Sequence, residues 1–210
     1  MNLIFMGPQA SGKGTQAKII AAKLGYVHLS TGEMFRREIE KGTELGKLVT
    51  SLINKGNLVP DNINNAFVEE TVLKLNDDNK KVILDGYPRN LNQAKFAIET
   101  LAIDKVIIIE LSEKETIKRL GARYHCPKCK KPYNTLYSAL KPKQDGLCDV
   151  CNVKLEQRAD DISIDAIKRR LGIYHDETES IINLFEVKVI KINGEKDIDN
   201  VTEDIINALT

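Results

Sequence analysis

Apolar residues along the chain fall into short continuous runs separated by longer stretches at helical spacing. Asn2-Leu-Ile-Phe-Met6 is followed by a Gly-rich turn and then by an amphipathic stretch from Gln16 to Leu24, which predicts a strand, a loop and a helix. Lys81-Val-Ile-Leu-Asp85 and Lys105-Val-Ile-Ile-Ile-Glu-Leu111 are β-branched runs without alternation, as expected of strands covered on both faces. Val187 to Ile192 predicts a further strand and Val27 to Leu29 a short one. Helical patterns between these runs argue for βαβ units and a mainly parallel sheet. Helix starts are expected at Ser30, with Glu33 closing a capping box, and at Asp61 after Pro60. Ser163 to Phe185 resumes helical periodicity, and Val201 to Leu209 predicts a closing helix.

Two segments interrupt the alternation without adding core strands. Residues 30–60 are helical and polar, and residues 125–158 gather Cys, Pro, Lys and Gly. Both read as excursions from the sheet, which leaves 1–29, 61–124 and 159–210 as the core domain.

Composition narrows the range of ligands. Thirty-one Lys and Arg against thirty Asp and Glu leave a formal charge of +1, which removes the electrostatic case for a general nucleic-acid or membrane-surface binder. An anionic ligand must then be held by local charge. Met1 to Met6 is too short for a signal-peptide core and no apolar run reaches the ~18 residues of a membrane span, so the expected location is the cytoplasm.

Gly7-Pro-Gln-Ala-Ser-Gly12-Lys13-Gly14-Thr15 lies between the first strand and the first helix. A Gly-rich loop in that position presents backbone N–H groups and a helix N-terminus to phosphate, with Lys13 as a point charge. The general motif has Ser or Thr after the lysine; here Gly14 stands there and Thr15 follows.

All four cysteines fall in one stretch, as Cys126-x-x-Cys129 and Cys148-x-x-Cys151. Two such pairs suit a closed tetrahedral Zn²⁺ site, and an iron site of the same geometry satisfies the same spacing. Four thiolates leave no open coordination position, so the metal is structural, and His125 reads as a bystander. About 34 residues cannot build a sufficient core of their own, which gives the metal its purpose. With Zn²⁺ on four thiolates the formal total moves from +1 to about −1.

From Lys13-Gly-Thr-Gln16 onward the chain resembles the adenylate kinases, in their order and near their spacing. Ser30-Thr-Gly-Glu-Met-Phe-Arg36, Gly56-Asn-Leu-Val-Pro-Asp61, Asp85-Gly-Tyr-Pro-Arg89 with Gln93, Arg119 and Arg123, Gln157-Arg-Ala-Asp-Asp161, and Arg170-Leu171 with Tyr174-His175 and Thr178 carry the likeness. It covers residues 1 to about 196. The resemblance implies a P-loop nucleoside-triphosphate-hydrolase-like parallel sheet flanked by helices, with a helical monophosphate-binding insertion and, as in the long-lid branch, a zinc-binding lid. It implies reversible phosphoryl transfer, ATP + AMP = 2 ADP, with Mg²⁺ accompanying the nucleotide.

Roles follow from the resemblance residue by residue. Gly12, Lys13, Gly14 and Thr15, with Arg119, Arg123, Pro132, Tyr133 and Lys196, correspond to the ATP side. Thr31, Arg36, Asn57, Leu58, Val59, Gly86, Tyr87, Pro88, Arg89, Gln93, Arg158 and Arg170 correspond to the AMP side, with Gln93 reading the acceptor adenine. Lys13, Asp85, Arg89, Arg123, Arg158 and Arg170 would serve the transfer itself, Asp85 acting through water on Mg²⁺. Two departures stand out. Pro8, Gln9 and Ala10 replace the family's usual Gly-x-Pro-Gly approach to the loop. One extra residue after Asp161 makes forward counting select Arg169, whereas matching Arg-Leu-x-x-Tyr-His selects Arg170, the preferred residue.

Two rival readings are a GTP:AMP phosphotransferase or related nucleoside-monophosphate kinase, and a zinc ribbon binding nucleic acid on an ATP-switched domain. For the second, Lys128, Lys130, Lys131, Lys141 and Lys143 supply charge, but only Tyr133 and Tyr137 could stack on bases. The expected partners are therefore ATP, AMP and ADP, without nucleic acid or membrane, on a monomer.

Overall fold

The computed structural model describes residues 1–54, 57–185 and 188–209. Gly56 and Val187, assigned above to the end of the first excursion and to the last strand, lie outside the described residues, as does the side chain of Asp160. In chain order the elements are β1 (Asn2–Met6), α1 (Lys13–Leu24), β2 (Tyr26–Ser30), α2 (Thr31–Lys41), α3 (Glu44–Asn54), α4 (Asp61–Asp77), β3 (Lys81–Asp85) and α5 (Leu91–Thr100). They continue with β4 (Ile103–Glu110), α6 (Glu113–Gly121), β5 (Arg123–His125), β6 (Pro132–Asn134), α7 (Ala159–Ile162), α8 (Ile164–Ile173), β7 (Lys188–Asn193) and α9 (Ile198–Leu209).

Five strands form one parallel sheet in the order β2-β3-β1-β4-β7. Their continuous apolar runs are explained by two cores. Leu3, Phe5, Ile83, Ile107 and Ile109 face Ala17 and Ile20 of α1 and Val201 and Ile205 of α9. Ile4, Met6, Val82, Leu84, Val106 and Ile108 face Val68 and Val72 of α4 and Ala94 and Ala97 of α5. Alternate residues thus point to opposite faces, and both faces are covered.

Parallel registry brings the strands' carboxyl ends together: Phe5 lies opposite Asp85, and Ser30 opposite Asp85 from the other side. Loops leaving that edge carry the candidate site, the general location for ligands in open α/β sheets. The excursions have small clusters of their own. Phe35, Val49 and Val59 hold α2 and α3 together; Cys126, Tyr133, Cys148 and Leu155 hold the region around the β5–β6 hairpin.

Two local signals resolve differently in the structure. The capping box expected at Ser30 does not form: Ser30 makes no side-chain cap, being still paired in β2, and Glu33 is drawn instead to Lys18 at 2.6 Å. The helix expected to run from Ser163 to Phe185 is α8 followed by a π-helical turn at Tyr174–Thr178 and a 3-10 turn at Ile182–Leu184. The wider turn places both Tyr174 and Thr178 inward, and Thr178 Oγ1 donates to Arg89 O at 2.7 Å.

Candidate active site

The phosphate loop connects β1 to α1, and its backbone explains its glycines. A Cβ on Gly7 would lie 2.3 Å from Ile109 O, and Gly7 and Gly12 take φ of +139° and +97°. Gly14, where the general motif has a hydroxyl residue, meets Asp85 Oδ2 at 3.2 Å from its notional Cβ, so the carboxylate occupies room a side chain would need. Ala10 takes the left-handed conformation, φ +58°. The altered approach therefore retains a backbone that suits glycine, at a cost of about 1–2 kcal/mol. Its side chain touches a cluster of Leu120, Ile167 and Leu171.

Lys13 Nζ donates to the carbonyls of Gly7 at 2.7 Å and Pro8 at 2.6 Å. Burial lowers its pKa from 10.5 to about 7; Asp85 opposes the shift, while Arg89, Arg123 and Arg170 add to it. Asp85 sits at the end of β3, and its Oδ2 is 3.1 Å from His28 Nε2. Burial works against its charge, but the His28 bond and the Lys13 ammonium outweigh burial and hold the carboxyl below its ordinary value. Sequence alone does not point to His28, since a lone histidine in a strand gives no sign of its partner.

Beyond β3 the chain turns at Gly86, whose φ is +80°, and the Tyr87–Pro88 bond is cis. Gly86 O accepts from Thr31 Oγ1 at 2.9 Å and from Arg89 Nε at 2.8 Å, which joins α2 to the arginine. A cleft beside this turn is lined by Thr31, Arg36, Asn57, Leu58, Val59, Arg89, Arg158 and Arg170, all expected on the acceptor side. Gly32, Phe35, Ile53 and Asn64 complete its wall. Arg170 faces this cleft, whereas Arg169 is exposed.

Two arginines from separate elements are organised by one acid. Asp161, whose side chain has no exposure, accepts from Arg123 Nε and Nη2, both at 2.7 Å, and from Arg170 Nη1 at 2.9 Å. Burial and the neighbouring Arg158 lower the Arg123 pKa from 12.5 to about 10, with Asp161 opposing them only in part. A fork held on both prongs is fixed in orientation, as recognition of a phosphoryl group requires. In the sequence Asp161 only ends the Gln157-Arg-Ala-Asp-Asp161 motif, which does not show which guanidinium it meets.

The remaining expected residues lie deeper or further out. Gln93 is fully buried and outside the cleft lining; its Oε1 accepts from Arg89 N at 2.9 Å and its Nε2 donates to Asp61 Oδ1 at 2.8 Å. Tyr87 is buried, and its hydroxyl donates to Asn65 Oδ1 at 2.7 Å. Arg119 lies against the Tyr137 ring at 5.0 Å and donates to Ala10 O at 3.4 Å, tying α6 to the phosphate loop. Pro132 is exposed on β6, and Lys196 is paired with Asp204 at 2.6 Å. Tyr133 points into the cysteine cluster: its hydroxyl donates to Cys148 Sγ at 3.4 Å and accepts from Asp149 N at 2.9 Å.

The cysteine cluster passes a direct geometric test for a tetrahedral metal. Metal–sulfur distances of about 2.3 Å require sulfurs about 3.8 Å apart. All four Sγ atoms lie within 4.8 Å of one another, and Cys129 and Cys148 are 3.6 Å apart. Backbone N–H groups also point at sulfur, Cys129 N at Cys126 and both Val150 N and Cys151 N at Cys148, at 3.3–3.4 Å. Donors directed at sulfur favour thiolates, so Cys126, Cys129, Cys148 and Cys151 fit a structural Zn²⁺.

A parallel sheet of this order, a phosphate loop after β1 and a cleft of converging arginines define a P-loop protein of the nucleotide-kinase class. The family model described as adenylate kinase matches residues 5–190. Adenylate kinases of Kosmotoga olearia and Petrotoga mobilis are 44% and 41% identical over the whole chain, covering 99% and 97% of those proteins. That of Archaeoglobus fulgidus is 41% identical over 98% of the chain and 96% of its own length. The chain belongs to the adenylate kinase family, and its four-cysteine cluster fits the long-lid type.

Proposed function

We propose that this protein transfers the terminal phosphoryl group of ATP to AMP, reversibly, giving two ADP. The observation that carries this reading is the convergence of Lys13, Arg36, Arg89, Arg123, Arg158 and Arg170, from six stretches of sequence, about the carboxyl edge of the sheet. Phosphoryl transfer needs alignment, charge neutralisation and exclusion of water more than covalent help.

In this reading the amides of Gly12, Gly14 and Thr15 and the Lys13 ammonium hold the donor's phosphates, while Arg119, Pro132, Tyr133 and Lys196 border the donor nucleotide. Arg36, Arg89 and Arg170 grip the acceptor's phosphate beside Thr31, Asn57, Leu58, Val59, Gly86, Tyr87 and Pro88. Arg123 and Arg158 meet the charge that builds on the group in transit. Mg²⁺, when bound with nucleotide, would supply positive charge to offset that of the phosphates. Asp85, kept ionised and fixed by His28, would help to hold that ion through water. Residues 30–60 and 125–158 are the two parts that close over the nucleotides, and closure expels water from the cleft. The Lys130–Glu40 pair at 2.7 Å, which joins them, supports that assignment. No helix among the described residues is long and apolar enough to cross a membrane, which fits a cytoplasmic site of action.

A panel of donors and acceptors in one coupled assay, with and without Mg²⁺, tests the reading. ATP with AMP should exceed every other pair and require the metal; a preference for GTP as donor would reassign the protein to the GTP:AMP phosphotransferases.

A further inference from the structure

On α4 the residues at positions 64, 68 and 72 form one buried stripe, and two of them, Val68 and Val72, are wholly buried in the sheet's core. The third is Asn64, only 4% exposed. A polar side chain in an apolar stripe is costly unless it is hydrogen-bonded, and Asn64 Oδ1 is buried with no hydrogen-bond partner among the described residues. Such a local conflict, uncompensated within the fold, is the kind retained at functional sites.

Its surroundings say what the amide could meet. Asn64 lines the cleft whose phosphate end is marked by Arg36, Arg89, Arg158 and Arg170. Phe35, Ile53 and Val59 give the same cleft an apolar wall, suited to the face of a base. By contrast, the Gln93 amide already has a protein partner at each end.

We propose that Asn64 reads the edge of the acceptor base, its carbonyl accepting from the 6-amino group of adenine. This rests on the adenylate kinase reading of the cleft. Binding then supplies the partner the fold withholds, so an acceptor lacking the amino group leaves the buried oxygen unsatisfied again.

The test is a cycle of two ligands and two proteins, read as dissociation constants by calorimetry without a donor nucleotide. AMP and purine riboside 5′-monophosphate, which lacks the 6-amino group, are titrated into the natural protein and into Asn64→Leu. We expect the natural protein to favour AMP by roughly tenfold, and Asn64→Leu to reduce that ratio about fivefold by weakening AMP binding. Melting temperature shows that the variant is folded, and it should rise, since an unpartnered amide leaves the core. Asn64→Val provides the same comparison if leucine proves too large. A selectivity ratio within twofold of the natural protein's, in a folded variant, would overturn the assignment. Failure of the natural protein to bind AMP would instead sink the reading of the cleft itself.

Discussion

In the parallel sheet Leu3, Ile4, Ile83, Leu84 and Ile107 have no exposed surface and are covered by helices on both faces, whereas the lid's cluster consists of Cys126, Tyr133, Cys148 and Leu155. The first region can be held by burial, at about 25 cal/mol per Å² of apolar surface. The second has too little apolar surface for that and places four sulfurs at metal-binding separation instead. The difference teaches that the edge carrying the phosphate loop and the cysteine region draw on different sources of stability, burial in the one and a metal-binding sulfur cluster in the other.

The comparison yields its largest expected effect on the sheet side. Lys13→Met should lower turnover roughly 10³-fold while leaving the melting temperature within a few degrees, because it removes charge aimed at phosphate and no packing. A protonation change should accompany it. Lys13 has a folded pKa of about 7 against 10.5, so between those values the unfolded chain holds a proton the folded chain has lost. Its contribution to stability therefore rises with pH across that window and is least favourable below about 7. Nucleotide phosphates should restore the proton. At pH 8, ATP binding should take up close to one proton, measured by calorimetry in buffers of different ionisation enthalpy, and Lys13→Met should abolish the uptake.

On the lid side, removal of metal by a chelator should expose the amides of residues 123–157 to hydrogen exchange roughly 100-fold faster while β1, β3 and β4 stay protected. Uniform loss of protection would show that sheet and lid unfold as one unit. Less than about 0.2 metal equivalents per chain in the purified protein would remove the basis for a stoichiometric site. The smallest effect tests the loop between the two regions. Ala10→Gly should stabilise the protein by about 0.5 kcal/mol, relief of left-handed strain exceeding the added freedom of the unfolded chain. A lower melting temperature would mean that the alanine's contact with Leu120, Ile167 and Leu171 outweighs the strain.

Strands, helices and the phosphate loop were legible because their signals are local: apolar runs bounded by turns, helical spacing, glycines before a lysine. The cysteine pairs were equally plain, since a chelating site is written in two short spacings. Less local features were not. Glu33 looked like half of a capping box until Lys18 lay closer, and the helix through Tyr174 gave no hint of the π turn that carries Thr178 to Arg89 O.

From sequence alone came the parallel α/β plan, the anion-binding loop, the metal-binding pairs and the set of arginines, because period, spacing and residue type suffice for each. Only the tertiary structure decided that Asp161 joins Arg123 to Arg170, that His28 holds Asp85, that Arg170 and not Arg169 faces the cleft, and that Asn64 stands there with an unpartnered oxygen. Those are meetings between residues far apart in the chain or choices between adjacent side chains. Packing fixes both, and one-dimensional periodicity contains no term for either.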